Sequence, residues 1–378
     1  MNVYSYSDLR YTTGRATGVY KHIDRVVHGL AASPGIDLRV AVSRDQWKGP
    51  AGIAADNALA GLPANRVPLS NKEGRLLWGL SSKPGIDRWL PEADWVYSPQ
   101  ELLVPTGKAK SAVTLHGMTY FEEAVGRAVY NSQEWRRGRA RLGWFLKRVK
   151  ETADVIFCVS DYLREQAIER FGFPGERMVT VGNGVEELFF EEKLPGETAP
   201  AEAEGRPYIL SVGGLNAFDG GQVTLDTAAR IQITHPDMLV LVAGHQHDEE
   251  LLKQAQSIPS VRVLGFVESL KLARLMRNAE ALLALAPVES FGIVPLEAMA
   301  SRCPVIFSNS TALPHVVKEA GMKVPAGDSN SAANALTCLL ESRDLGADYR
   351  ERGRAHAKTH QWEQVTRHVS ETLKVCAN

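Results

Sequence analysis

Short apolar runs alternate with longer amphipathic stretches along nearly the whole chain. In the first half the runs fall at residues 2–7, 38–43, 95–98, 112–116, 155–160 and 178–181. A second series follows at 208–212, 239–243, 261–264, 281–286 and 305–308. The run at 281–286 is apolar throughout, as a strand covered on both faces is. Helical spacing fills the gaps, so each series predicts a mostly parallel sheet wrapped by helices, an α/β chain. Residues 191–205 are rich in Glu, Pro and Ala and read as a surface linker. The expected division is therefore 1–185, a linker at 186–206, a second domain at 207–360 and a closing helix at 361–378.

Two domains also suit the length, since 378 residues exceed one comfortable core. With 44% apolar and 23% charged residues, nothing points to disorder. The net charge of −1 makes no general call for nucleic acid. Cys158, Cys303, Cys338 and Cys376 form no C-x-x-C pair, so reduced, mostly structural thiols are expected. The first residues, MNVYSYSD, enter a strand without a charged start or apolar signal core. No run is long enough to cross a bilayer. These features together predict a cytoplasmic protein.

The densest chemistry lies at residues 289–297, ESFGIVPLE. Glu289 ends a strand, Gly292 permits a tight turn, and Pro295 suits the first position of a helix expected to run through 296–301. Glu297 then falls in the first helical turn. Helix-start amides attract anions, and the carboxyl ends of parallel strands are where open α/β sheets bind ligands. Two carboxylates framing an anion site suit a ligand with both phosphates and vicinal hydroxyls, such as a nucleotide-sugar. Taken alone, Glu297 fits equally well as a complement to the helix dipole.

Three other segments carry candidate chemistry. Residues 11–20 hold Gly14, Arg15 and Gly18 ahead of a helix at 20–30; such a loop is either a plain turn or an anion cradle. His116 ends the run 112–116 beside Gly117, as a ligand-facing group or a hydrogen-bonded structural histidine. Residues 136–150 form a helix with Leu142, Phe145, Leu146 and Val149 on one face. Its opposite face has Arg137, Arg141, Trp144 and Arg148, and Arg136, Arg139, Lys147 and Lys150 bring the span to +7. Tryptophan among basic residues suits an anionic membrane surface or acceptor. Peripheral contact with the inner face of a membrane through Arg136 to Lys150 is one expectation, and a solvated basic face is the other. Ser160 and Asp161 read as an N-cap after a strand.

The 289–297 string resembles the E-x7-E motif of retaining glycosyltransferases of family 4, which have the GT-B fold of two doubly wound Rossmann-like domains facing across a cleft. The resemblance extends over most of residues 1 to 370 and is strongest from about 260 to 328. It implies that Glu289 holds donor-sugar hydroxyls and that Phe291, Gly292 and Ile293 offer amides to the sugar. It places Val294 beside the phosphates and Glu297 on the ribose. It implies further that Gly18 and Arg15 lie in a glycine loop opposite the donor phosphates, with His116 contacting the sugar near the reacting bond. The turn of Gly265, Phe266 and Val267 would face the nucleobase, and the helix around Trp362 would cross back to the first domain. His315 matches no family role.

Family members usually carry an Arg directly after the first Gly of the 213–221 loop and a Lys a few residues on. Here Gly214 and Asp219 stand in those places. Losing one such donor costs about 3 kcal/mol of transition-state stabilisation. Amides freed by the glycines, or a cation from Arg15 or Lys21, are the candidate compensations. No Asp-x-Asp pair brings a metal, so no metal and no cofactor are expected. The resemblance thus implies a metal-independent, retaining transfer from a nucleoside-diphosphate sugar to a hydroxyl of a glycan or lipid-linked acceptor, with no nucleic-acid partner. The alternatives are a degenerate GT-B protein that binds a glycan or protein partner, or another GT-B enzyme such as a sugar-nucleotide epimerase or phosphorylase.

Overall fold

The computed structural model describes residues 1–13, 17–102, 104–125, 127–193, 200–245 and 248–377. The chain forms two compact units. Met1–Tyr120, Gln133–Asn183 and Trp362–Asn378 make the first, and Phe121–Ser132 with Gly184–Gln361 the second.

The first unit is built on β1 (Asn2–Tyr6), β2 (Asp37–Ser43), β3 (Ala64–Val67), β4 (Trp95–Ser98), β5 (Lys110–Leu115), β6 (Val155–Cys158) and β7 (Met178–Thr180). They pair in parallel in the order β3-β2-β1-β4-β5-β6-β7. Its helices are α1 (Gly18–Ala31) and α2 (Asn71–Leu80), then, beyond the short α3 (Arg127–Tyr130), α4 (Gln133–Thr152), α5 (Asp161–Phe171) and finally α13 (Trp362–Ala377). Helix α1 starts at Gly18 because the Thr17 hydroxyl accepts from the Tyr20 amide, two residues before the expected start. Ser160 caps α5 through the Leu163 amide.

One sheet face packs on α1 and α13. Val3, Trp95 and Tyr97 meet Ile23, Val26, Val27 and Leu30 of α1 and Trp362, Val365, Val369 and Leu373 of α13. Burial of each such aliphatic side chain stabilises by about 1.5–3 kcal/mol, so α13 belongs to this core energetically. The two helices approach closely at Gly29, where a Cβ would fall 2.5 Å from the Thr366 side chain.

The second unit repeats the plan with β8 (Tyr208–Val212), β9 (Leu239–Ala243), β10 (Val261–Gly265), β11 (Ala281–Ala284), β12 (Val305–Ser308) and β13 (Met322–Val324). All pairs are parallel, in the order β10-β9-β8-β11-β12-β13. The covering helices are α6 (Gly221–Thr234), α7 (Glu249–Gln256), α8 (Ser269–Asn278), α9 (Ile293–Ala300), α10 (Leu313–Val317), α11 (Ser329–Glu341) and α12 (Arg343–Ala357). Asp248 caps α7 and Asp328 caps α11, each accepting two amides. In both sheets the strand order reverses after the first strand, so each unit has a switch point where loops diverge and a ligand crevice opens. In the second unit it lies between the ends of β8 and β11.

Two strands lie outside the sequence expectation, β3 and β13, both at sheet edges. The helix after Glu289 also begins earlier than expected. It starts at Ile293, because Gly292 takes the N-cap at φ 107°, and Pro295 stands within the first turn. Glu297 consequently lies in the second turn rather than the first. The linker region contains the 3-10 turns Glu187–Phe189 and Ala201–Ala203. Residues 194–199 of it fall outside the described residues.

Candidate donor site and its relatives

Three loops at the carboxyl end of the second sheet pack backbone against backbone. A Cβ on Gly244, after β9, would lie 2.4 Å from the Gly214 nitrogen after β8. A Cβ on Gly220 would lie 2.2 Å from the Leu285 carbonyl after β11. Gly213, Gly214, Gly220 and Gly244 all have φ between 72° and 142°. Only glycine provides both the space and the left-handed backbone at such points.

This packing brings Asp219 towards Glu289. Asn216 Oδ1 accepts from the amides of Phe218 and Asp219 at 2.8 and 3.0 Å, and Asn216 Nδ2 donates to Asp219 Oδ2 at 2.6 Å. The Asp219 carboxyl lies against Gly213, whose Cβ would fall 2.5 Å from its Cγ. Burial raises the Asp219 pKa against the lowering effect of the Asn216 hydrogen bond. Burial also raises Glu289; the Phe291 and Ser290 amides act against it, and the Asp219 charge adds to it.

Glu289 is fixed at both its backbone and its carboxylate. Its amide donates to Thr311 Oγ1 at 2.8 Å and its carbonyl accepts from the Ala312 amide at 3.1 Å. Its Oε1 accepts from the Ser290 and Phe291 amides at 2.9 and 3.3 Å. The Phe291 amide is therefore engaged within the loop. The amides of Gly292, Ile293 and Val294 have no partner among the described residues. No side chain caps α9 at Gly292, so these donors are available to an anion. Glu297 is 2% exposed, on the buried side of the same helix.

The neighbouring loops supply an aromatic pair. His245 stacks on Phe266 with ring centroids 4.9 Å apart and planes 6° apart. Phe266 stays 43% exposed, with Val267 beside it partly buried. His245 had no signal in the sequence beyond following a strand-end glycine.

Gly214, Glu289, Phe291, Gly292, Ile293, Val294 and Glu297 thus fall in one region of the second unit, with Val267 on an adjoining loop. His116 and Gly18 belong to the first unit. Gly18 opens α1, and His116 follows β5, its Nε2 donating to the Pro99 carbonyl at 2.8 Å. The backbone amides of His116 and Gly117 donate to Glu101 Oε1. Lys21 is 7% exposed. Arg15 lies outside the described residues. Among the described residues no cluster of three or more His, Cys, Asp or Glu side chains has the arrangement of a metal site.

Two parallel doubly wound units with this loop cluster define the GT-B architecture of glycosyltransferases. Residues 16–187 match the family model described as Glycosyltransferase Family 4, and residues 197–356 the one described as Glycosyl transferases group 1. The chain belongs to the group 1 glycosyltransferases of family 4. It is 26% identical over 324 residues to phosphatidyl-myo-inositol mannosyltransferase of Mycolicibacterium smegmatis, covering 83% of this chain and 80% of that one. It is 23% identical over 295 residues to O-antigen chain mannosyltransferase B of Escherichia coli, covering 75% and 74%. HepE of Anabaena, solved in complex with UDP, superposes with a TM-score of 0.71 at 16% identity over 99% of this chain and 100% of that one.

Proposed function

We propose that the protein is a metal-independent, retaining glycosyltransferase that takes a sugar from a nucleoside-diphosphate sugar to a hydroxyl of a glycan or lipid-linked acceptor. The observation that carries this reading is the Glu289–Glu297 frame around the unpartnered amides that open α9. Glu289 orients the sugar hydroxyls, Glu297 accepts from the ribose, and the Gly292, Ile293 and Val294 amides take the diphosphate charge. His116 contacts the sugar near the anomeric carbon. The bond from that carbon to the phosphate oxygen breaks, the acceptor oxygen bonds on the same face, and the leaving phosphate takes the acceptor proton. The mannosyltransferase names of the relatives support a mannosyl donor.

A second reading, a GT-B protein that binds without transferring, is favoured by Asp219 and Gly214 standing where cations are usual. Titration with UDP, GDP, ADP and their sugar conjugates in EDTA separates the two. Saturable binding of one nucleotide, abolished by Glu297→Ala, supports the transferase. No binding at millimolar concentration overturns it.

The acceptor side of the proposal includes a cytoplasmic location and peripheral membrane contact. No helix among the described residues is long and apolar enough to cross a membrane. On the first unit, Leu76 and Leu80 of α2 are 67% and 84% exposed, and Trp144 of α4 is 42% exposed. The Trp144 ring lies over Gly79, 3.9 Å from where its Cβ would be. Leu76 and Leu80 lie one turn apart on α2 on either side of Gly79, and Trp144 shares its face of α4 with Arg137, Arg141 and Arg148, a combination of apolar and cationic side chains suited to an anionic surface. Sedimentation with phosphatidylglycerol vesicles but not with phosphatidylcholine vesicles, lost in Leu80→Lys, is the expected result. Equal sedimentation of the variant overturns this surface.

A further inference from the structure

His22 is a histidine that the transfer chemistry above does not use. It lies on α1 with 0% exposure. Its Nδ1 donates to Asn183 Oδ1 at 2.8 Å, across 161 positions of sequence. Its Nε2 is buried, with no hydrogen-bond partner among the described residues. An orphaned buried acceptor of this kind is destabilising, so the ring is retained at a cost to the core. A leucine at this place in α1 would avoid that cost.

What the ring touches gives the reason. His22 meets His116 edge to face, with centroids 4.8 Å apart and planes at 89°. On another side Trp362 stands at 6.1 Å and 73°. Asn183 and Trp362 are the residues at which the chain leaves the first unit for its longer excursion, Gly184–Gln361, and re-enters it. His22 is thereby clamped from both crossings and presses on one imidazole.

That imidazole has a defined tautomer. The Pro99 carbonyl can only accept, so His116 Nε2 must carry the proton. In the neutral ring Nδ1 is then the acceptor, and it makes no hydrogen bond among the described residues. A half-turn of the ring about Cβ–Cγ would put Cδ2 where Nδ1 stands and Cε1 where Nε2 stands, which breaks the Pro99 hydrogen bond and removes that acceptor. The Pro99 carbonyl alone is one soft contact; the wall formed by His22 restricts the rotation.

We propose that His22 is a positioning residue: its ring, clamped by Asn183 and Trp362, holds the His116 imidazole so that Nδ1 remains the acceptor presented to the sugar. The inference rests on His116 contacting the donor sugar, and the experiment tests the two statements separately. Ring-nitrogen NMR of histidine-labelled protein, with His116 assigned by its loss in His116→Gln, reads the tautomer directly. The wild type is expected to show one tautomer with Nε2 protonated. His22→Ala is expected to show a mixture, and His22→Phe, which keeps an aromatic wall, the wild-type pattern.

Turnover of GDP-mannose or UDP-glucose, whichever the titration selects, should fall at least tenfold in kcat for His22→Ala. Donor KM should stay within threefold, and His22→Phe should recover most of the rate. An unchanged His116 tautomer in His22→Ala overturns the proposal. So does a His22→Phe enzyme as slow as the alanine variant. Full turnover in His116→Gln would instead refute the role of His116 in the donor site, while the NMR result still decides whether His22 sets its ring.

Discussion

Glu289 lies near enough to Asp219 that, after burial, the Asp219 charge raises the proton affinity of the Glu289 carboxyl. The proposed diphosphate site is therefore flanked by two carboxylates, one on the loop after β8 and one on the loop after β11. Asp219 is itself raised by burial. A carboxyl with a folded pKa above its unfolded value contributes stability below the unfolded pKa and loses it as pH rises through the folded one.

Asp219→Asn should consequently raise the Tm near neutral pH and narrow its advantage over the wild type under acid. The same change removes a negative charge from the loop proposed to receive the phosphates while keeping an acceptor for Asn216. Calorimetric titration with the cognate nucleoside diphosphate should show affinity at least fivefold tighter near neutral pH. Unchanged affinity would mean that the phosphates do not approach this carboxylate.

Gly220→Ala should be among the most damaging single-methyl changes in the second unit. The new Cβ would meet the Leu285 carbonyl at 2.2 Å and would sit on a φ of 72°. Backbone strain of this kind costs about 1–3 kcal/mol before any clash is counted. Thermal unfolding should move down by several degrees, and nucleotide binding should weaken at least tenfold as the loops after β8 and β11 separate. Gly205→Ala, with φ 73° and open space around it, supplies a control for the backbone effect alone.

Acid should destabilise both units through histidines kept neutral. Burial lowers the His22 pKa from 6.5 to about 3, with the nearby His116 acting in the same direction. Burial lowers His360 to about 4, helped by His356. A depressed histidine stabilises fully above its unfolded pKa and loses that contribution as pH falls, because the unfolded chain takes up the proton first. For His22 this amounts to about 2 kcal/mol between pH 6.5 and about 5. Urea unfolding across that range should show a shallower decline for His22→Phe than for the wild type.

On the proposed role of Glu297 as acceptor for the ribose hydroxyls, Glu297→Gln should weaken binding of a ribonucleoside diphosphate about tenfold. A 2′-deoxy or 3′-deoxy nucleotide should bind the wild type correspondingly weakly and be nearly indifferent to the substitution. Equal losses for ribo and both deoxy ligands would place Glu297 away from the ribose.

The parallel sheets were legible because their inner strands are apolar runs, as in β9, where Leu239 to Ala243 are all buried. Edge strands β3 and β13 each bury a single residue, Val67 and Val324, so no run marks them. Gly292 was visible as a glycine, but its left-handed φ, which moves the helix start to Ile293, arises from the packed loop. The Glu289–Glu297 frame could be read from spacing on one segment. The approach of Asp219 to Glu289 depends on Gly220 lying against Leu285, and the His245–Phe266 stack joins two loops; neither leaves a mark in local sequence. His22 reads as an ordinary core position of α1 until its partners at 183 and 362 are known.

The place of α13 in the first core has a consequence for the order of synthesis. Trp362, Val365, Val369 and Leu373 complete a core begun by Val3 and Ile23. Roughly 180 residues separate Asn183 from Trp362 along the chain. At about 5–20 residues per second, the ribosome takes on the order of 10–40 s to make them. Throughout that interval the nascent first unit exposes the groove that α13 will fill, while nearly all of the second unit is still being made. The apolar faces of Val26 and Leu30 are thus the surface on which a chaperone acting during translation has the longest time to bind.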